Sequence, residues 1–115
     1  MLHNSDKYLF DILKAIELID LFLESCTDFN VYVNDLKTKS AVERQLVIIG
    51  EAVNKFQKIQ PENLNLLLFS KEIINFRNRL VHAYDAIDDS IVWALKTNHL
   101  PNLKNEIQTL ITTKK

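Results

Sequence analysis

Glycine and proline are scarce in this chain, which has one glycine and two prolines in 115 residues. A sheet-rich protein needs turn residues about every eight to twelve positions, and this chain has too few of them. Long helices joined by a few short loops are therefore the predicted architecture. The length suits one hydrophobic core, so we expect a single domain covering residues 1–115.

Cysteine is nearly absent, and long apolar runs are missing. The single cysteine, Cys26, excludes an internal disulfide and is typical of a reducing compartment; we expect it to be a small apolar residue near a helix end. No apolar run approaches the ~18 residues of a membrane span, and the first residues lack the order of a secretory signal. These features favour a cytoplasmic protein outside the membrane.

Excess positive charge is also lacking, since the formal net charge is −1. A nucleic-acid substrate would therefore have to be attracted by a local basic patch. The three histidines, His3, His82 and His99, have no metal-ligand spacing, and no glycine-rich phosphate loop occurs. The sequence thus predicts no metal site and no cofactor, with His3 and His99 at the surface.

Apolar residues recur at steps of three and four near the start of the chain, which is the pattern of an amphipathic helix. The first predicted helix runs from Lys7 to about Glu24, with Ser5 or Asp6 as its N-cap. The positions that it should bury are Leu9, Ile12, Leu13, Ile16, Ile19, Phe22 and Leu23. Residues 25–39 break the pattern and are predicted to be a connection that can hold a short helical turn.

A second helix is predicted from Ala41 to about Lys58, because Ser40 and Glu43 have the spacing of a capping box. The positions that it should bury are Leu46, Ile49, Val53 and Phe56. Gly50 weakens such a helix but allows close approach of a neighbour.

Further helices are predicted in the second half of the chain. Ser70 can cap one from Lys71 towards Tyr84, and turn residues around Asp88 precede another. Pro101 should break that helix and open a final one. The final helix should bury Leu103, Ile107, Leu110 and Ile111. The predicted fold class is all-α, a four- to five-helix bundle.

The stretch that can carry chemistry is Arg77-Asn78-Arg79-Leu80-Val81-His82-Ala83-Tyr84. On one straight helix Arg77 and Tyr84 share a face, while His82 lies roughly 140° away from Arg77. Either the helix ends near His82, or two copies complete the site across a symmetric interface.

These groups can together cleave a phosphodiester without a metal ion. His82 can take the proton of a ribose 2′-hydroxyl, and Arg77 can stabilise charge on the phosphoryl oxygens. Asn78 can orient a phosphate, and Tyr84 can bind substrate by hydrogen bonding or stacking. The mechanism predicts 2′,3′-cyclic phosphate ends and no cleavage of DNA. Spacing alone leaves a structural alternative open: a histidine that caps a helix, solvated arginines and a packing tyrosine.

The stretch resembles the Arg-x4-His-x-Tyr motif of the HepT-like branch of the HEPN superfamily, the toxin half of MNT–HEPN toxin–antitoxin pairs. The similarity extends beyond this stretch to residues 42–52, to residues 76–88 followed by residues 91–93, and to the Leu100-Pro101 step. One departure is the segment from Asn63 to Ser70, which is richer in leucine than the proline- and tryptophan-containing stretch of relatives.

The resemblance implies a homodimer with paired motifs at a cleft and metal-independent cleavage of RNA. Arg77 and His82 inherit the catalytic roles, and Asn78 a supporting polar role; Arg79 is grouped with them as a supporting or substrate-binding residue. Tyr84 inherits the role of acceptor for AMP groups from an MNT-type nucleotidyltransferase antitoxin. Two other functions stay open at this point: a non-catalytic nucleotide-binding partner module of a nucleotidyltransferase, and a dimeric scaffold.

Overall fold

The computed structural model of the chain describes residues 4–59, Asn78 and residues 88–113. Within these residues every regular element is helical, which confirms the predicted all-α class. The elements are α1 (Asn4–Phe22), α2 (Phe29–Val33), α3 (Leu36–Ile59), α4 (Asp89–Ala94), a π-helical turn (Leu95–His99) and α5 (Leu100–Thr113). The predicted helix from Lys71 to Tyr84 lies outside the described residues, except for the helical Asn78.

Helix α1 has the buried face that its apolar spacing predicts. It begins at Asn4, so the expected caps Ser5 and Asp6 fall within its first turn instead of preceding it. The fully buried positions include Leu9, Ile12, Ile16 and Ile19, while Leu13 and Phe22 are half-buried and pack against the core. Cys26 is buried just beyond the helix, as expected.

The connection after α1 contains a short helix, in agreement with the predicted helical turn. Helix α2 is capped by Asp28, whose Oδ1 accepts a hydrogen bond from the Val31 amide at 3.0 Å. This bond satisfies one of the amides that a helix start leaves without a partner. The cap places Tyr32, the buried residue of α2, against the core.

Helix α3 begins earlier than predicted, at Leu36 instead of Ala41, so the predicted capping box is wrong. The Asp35 carboxylate accepts the Thr38 amide at 3.1 Å and the Thr38 hydroxyl at 2.7 Å, which makes Asp35 the N-cap. The bond to the Thr38 hydroxyl is the main reason why the pKa of Asp35 is lowered. Because the helix is already under way at Ser40, no free amides remain there for a cap.

The predicted break at Pro101 is also wrong in form, since α4 runs into α5 without a loop. In the π-helical turn, the Leu100 amide donates to the Leu95 carbonyl five residues back. Proline has no amide, and its ring clashes with the carbonyl four residues earlier in a regular helix. A wider turn directly before Pro101 relieves that conflict, and Pro101 takes its expected place in the first turn of α5.

The core forms where α3 and α5 pack against α1 and where α2 contacts both α3 and α4. Every position that the sequence predicted to be buried in α3 is buried, and so is Gly50 in the middle of that helix. A glycine there leaves no side chain between α3 and a neighbour. None of the described helices combines the length and hydropathy that a membrane span requires.

Candidate functional site

Of the predicted catalytic segment, residues 77–84, the structure describes only Asn78. Asn78 is helical and exposed. Arg77, Arg79, His82 and Tyr84 lie outside the described residues, and their predicted roles stay predictions. The described helices on either side of this segment in the chain are α3, which precedes it, and α4, which follows it.

Helix α4, the first described element after the predicted catalytic segment, begins at a well-defined cap. Asp88, four residues after Tyr84, is the N-cap of α4, and its Oδ1 accepts the Ser90 amide at 2.9 Å. The Ser90 hydroxyl donates to the same oxygen. The helix start that the sequence predicted after Asp88 is thus confirmed, whereas Asp85 lies outside the described residues.

A partly buried ion pair ties the start of α4 to α3. Lys39 Nζ lies 2.8 Å from Asp89 Oδ2, and the two side chains are only 19% and 16% exposed. Loss of either partner would leave the other charge poorly solvated, so the pair favours this one arrangement of the two helices. The pair joins residues fifty positions apart in the chain, and sequence reasoning missed it.

Two more polar groups complete this cluster. Glu43 is one turn beyond Lys39 on α3; burial raises its pKa, and the Asp89 carboxylate raises it further. The Tyr32 hydroxyl is buried and makes no hydrogen bond, and burial raises its pKa as well, with contributions from Glu43 and Asp89. We name Tyr32, Lys39, Glu43 and Asp89 the α3–α4 polar cluster.

The α3–α4 polar cluster carries more negative than positive charge, because one lysine faces two carboxylates. Asp89 Oδ1 is buried without a hydrogen-bond partner. Little of the cluster is exposed, so its groups are suited to fixing the position of α4 and less suited to contacting RNA. Two sequence features correspond to this cluster, an Asp at a helix start and a Lys-x3-Glu spacing. Both features are too common in helical proteins to predict a cluster.

Aromatic contacts hold the other side of α4. The Trp93 ring lies 5.5 Å from the Tyr32 ring and 6.1 Å from the Phe29 ring, measured between centroids. Lys96 Nζ lies 4.6 Å from the centroid of the Trp93 ring, in a cation–π contact. Together with the ion pair, these contacts position the helix that follows the predicted catalytic segment.

His99 differs from its predicted surface position. It is half-buried, and its Nδ1 is shielded from solvent. The reason is its spacing, since His99 lies four residues after Leu95 and four before Leu103, both of them buried. Among the described residues, no group of three or more His, Cys, Asp or Glu side chains is placed to hold a metal ion.

A family model described as "Ribonuclease HepT-like" matches residues 12–110. The match covers most of the chain, including the predicted catalytic segment, the α3–α4 polar cluster and most of α1 and α5. The chain belongs to the HepT-like ribonuclease family.

Two relatives of this HepT-like chain are similar to it over most of their own lengths. A protein of Thermococcus cleftensis named "Probable ribonuclease HepT" is 36% identical over 115 residues, covering 96% of this chain and 98% of the relative. A protein of Methanocaldococcus jannaschii, provisionally named as an RNase, is 34% identical and covers 90% and 88% of the two chains. No solved structure gives a significant match. Family and relatives together support a nuclease role and RNA as the substrate.

Proposed function

We propose that this HepT-like protein is a metal-independent endoribonuclease toxin of an MNT–HEPN toxin–antitoxin system. The observation that carries the proposal is the family match over residues 12–110, which includes the segment from Arg77 to Tyr84 with its arginine, histidine and tyrosine. The exposed position of Asn78 is consistent with the supporting polar role proposed for it.

The cleavage step follows from the chemistry of two side chains. His82 takes the proton of a ribose 2′-hydroxyl, and the 2′-oxygen attacks the adjacent phosphorus. The bond from phosphorus to the 5′-oxygen breaks, the 5′-oxygen takes a proton from water, and a 2′,3′-cyclic phosphate remains. His82 then returns to the solvent the proton that it took from the 2′-hydroxyl. Arg77 stabilises the negative charge that grows on the phosphoryl oxygens, while Asn78 and Arg79 hold the neighbouring phosphates. DNA lacks the hydroxyl and is not cleaved.

A homodimer accounts for the angle between the two catalytic residues. On one helix, Arg77 and His82 point roughly 140° apart, so a single straight helix cannot aim both at one phosphate. Two copies related by a two-fold axis place the two motifs on opposite sides of one cleft, which shortens the distance between these side chains.

Neutralisation in this proposal acts on Tyr84. A nucleotidyltransferase antitoxin transfers AMP from a nucleoside triphosphate to the Tyr84 hydroxyl, with release of pyrophosphate. The attached AMP adds bulk and negative charge next to His82, and this charge repels the phosphates of an RNA substrate. The tyrosine hydroxyl is two residues from the catalytic histidine in the sequence, which makes the block local.

The test is cleavage of end-labelled RNA by purified protein in excess chelator. His82→Ala and Arg77→Ala should each abolish cleavage, whereas the matched changes His3→Ala and Arg44→Ala should preserve it. Arg44 is exposed on α3, which makes it a suitable arginine control. Intact mass spectrometry first establishes that the protein carries no AMP.

Cleavage by the unsubstituted protein alone, leaving cyclic phosphate ends, would support the proposal. Cleavage that the chelator stops would contradict the metal-free mechanism. If unmodified protein of confirmed mass cleaves no RNA, the ribonuclease function fails, and the nucleotide-binding partner module becomes the better description.

A further inference from the structure

Helix α1 has a second apolar face, on the side that points away from the core. The core side carries Leu9, Ile12, Ile16 and Ile19, all buried. The outer side carries Phe10, which is 41% exposed, and Leu21, which is 55% exposed. The outward face of a surface helix is normally polar. Phe10 and Leu21 depart from this pattern, but single exposed apolar residues are common on protein surfaces, so the arrangement of their neighbours decides what the face can bind.

The outer side carries a shallow, open depression between side chains of this one helix. Six residues line it, which are Phe10, Leu13, Lys14, Glu17, Leu18 and Leu21. The residues at positions 10, 14, 17 and 21 follow one another at steps of four, three and four, the spacing of a stripe that packs against another helix. Leu13 and Leu18 flank this stripe and are half-buried.

The six residues are arranged symmetrically about the middle of α1. A two-fold axis between positions 15 and 16 turns the helix antiparallel to its copy and places residue n opposite residue 31 − n. In this register Phe10 faces Leu21, whereas Leu13 and Leu18 lie on opposite flanks of the stripe and do not face each other. Lys14 faces Glu17 twice, once on each side of the axis. Apolar residues thus meet apolar residues, and both charged positions meet the opposite charge.

We propose that the α1 outer face, defined by these six residues, is a self-association surface that binds a second copy of this chain. Charge complementarity singles out this occupant, because the arrangement matches its own two-fold image. A different protein would require no such internal symmetry. The surface is separate from the predicted catalytic segment in sequence, and the proposal does not rest on the ribonuclease function.

Like charges at the edges of this contact are neutralised within each chain. Asp11 and Asp20 lie on opposite flanks of the stripe, so the width of the contact separates them in the proposed register. Lys7 Nζ lies 2.9 Å from the Asp11 carboxylate, and Lys104 Nζ lies 3.9 Å from the Asp20 carboxylate. Each negative charge is therefore accompanied by a lysine of its own chain, which reduces the repulsion across the axis.

The expected association is weak. Helix α1 has 19 residues and is about 28 Å long, so a single pair of such helices buries much less than the ~800 Å² per partner of a standard interface. Self-association should therefore appear in a concentration range of about 1 µM to 1 mM. If the catalytic segments form a dimer of their own, the α1 outer face joins two such dimers.

The experiment measures the sedimentation of purified protein over that concentration range, with Lys14→Glu and Glu17→Lys as the test variants. Each variant replaces two attractive pairs with two repulsive ones. We expect the dissociation constant of the α1 contact to rise at least about tenfold. Both side chains are exposed, so the fold should be unchanged by circular dichroism. Lys37→Glu, the same exchange at an exposed position of α3, is the matched control and should leave the association unchanged.

Mixing the two variants gives the decisive result. A chain with glutamates at positions 14 and 17 and a chain with lysines at both positions repel their own copies but complement each other. The equimolar mixture, and the double variant K14E/E17K, should therefore regain the association of the unsubstituted protein. Unchanged association of the single variants, no association of the unsubstituted protein, or a mixture that stays dissociated would each overturn the proposal. Cleavage of RNA by the same variants is measured separately, and its loss would bear on the proposed function alone.

Discussion

Replacing Lys39 with methionine should destabilise the protein by about 2 kcal/mol. The pair that it forms with Asp89 lies between two limits, since exposed pairs contribute about 0.2–1 kcal/mol and breaking a buried pair costs about 3–5 kcal/mol. At 19% and 16% exposure the side chains are nearer the buried limit. Methionine keeps most of the lysine stem, so the loss reports the charge and little of the packing.

Further features of the α3–α4 polar cluster raise the cost of this change. Asp89 Oδ1 is already buried without a hydrogen-bond partner, so removal of the lysine leaves both carboxylate oxygens poorly compensated. The Glu43 carboxyl is close enough for Asp89 to raise its pKa, and no lysine would then offset the repulsion between the two. A buried charge without a partner is the costly outcome, more than the loss of the attraction itself.

The assay is urea unfolding followed by far-UV circular dichroism at neutral pH, with the protein concentration held constant because association changes apparent stability. Lys37→Met is the matched control, because Lys37 is exposed in the first turn of the same helix; it should change the free energy of unfolding by less than about 0.5 kcal/mol. In a double-mutant cycle, Asp89→Asn should remove most of the effect of Lys39→Met, with a coupling of about 1–2 kcal/mol. Additive effects, or a Lys39→Met variant as stable as the control, would refute the reasoning.

Three further predictions concern the cap of α3, the titration of Glu43 and the core. Asp35→Ala should lower the free energy of unfolding by about 1 kcal/mol because it removes the N-cap. Ser40→Ala, at the cap that the sequence suggested, should lower it by less than about 0.5 kcal/mol. Urea unfolding of both variants decides between the two caps. The folded pKa of Glu43 is raised above the ordinary value of 4.5, so its contribution to stability is full below 4.5 and is lost as the pH rises through the folded pKa. Glu43→Gln should therefore stabilise the protein at neutral pH and flatten the stability profile in that window, and an unchanged profile would contradict the assignment. Phe56→Ala should cost about 3–5 kcal/mol because the ring is fully buried, against less than about 1 kcal/mol for Ile59→Ala at a position that is 46% exposed; equal thermal unfolding midpoints of the two variants would argue against the described core.

The buried face of α3 is a feature that the sequence predicted correctly. Leu46, Ile49, Val53 and Phe56 were assigned to its buried face from spacing alone, and all four are buried. Spacing succeeds there because a helix repeats about every 3.6 residues, whatever it packs against. The predicted catalytic segment was likewise found from residue types and family resemblance, and the family is confirmed. The individual roles of Arg77, His82 and Tyr84 stay predictions.

The start of α3 is a feature that local sequence patterns predicted wrongly. Asp35 and Ser40 are both good caps, and the sequence favoured Ser40 because Glu43 follows it at capping-box spacing. In the structure Glu43 belongs to the α3–α4 polar cluster, close enough for Asp89 to raise its pKa. A cap and an interhelical electrostatic contact look alike in the sequence, and only the position of α4 separates them.

The sequence by itself determined the helical class, the buried faces of the helices and the family, because helical periodicity and motif residues are local properties of the chain. Only the tertiary structure decided which distant side chains meet. The Lys39–Asp89 pair, the burial of Tyr32 against Trp93 and the exposure of Phe10 and Leu21 depend on how the helices pack. The physical reason is that helical spacing states which side of a helix is apolar, whereas contacts between helices depend on their relative positions, which no local pattern contains.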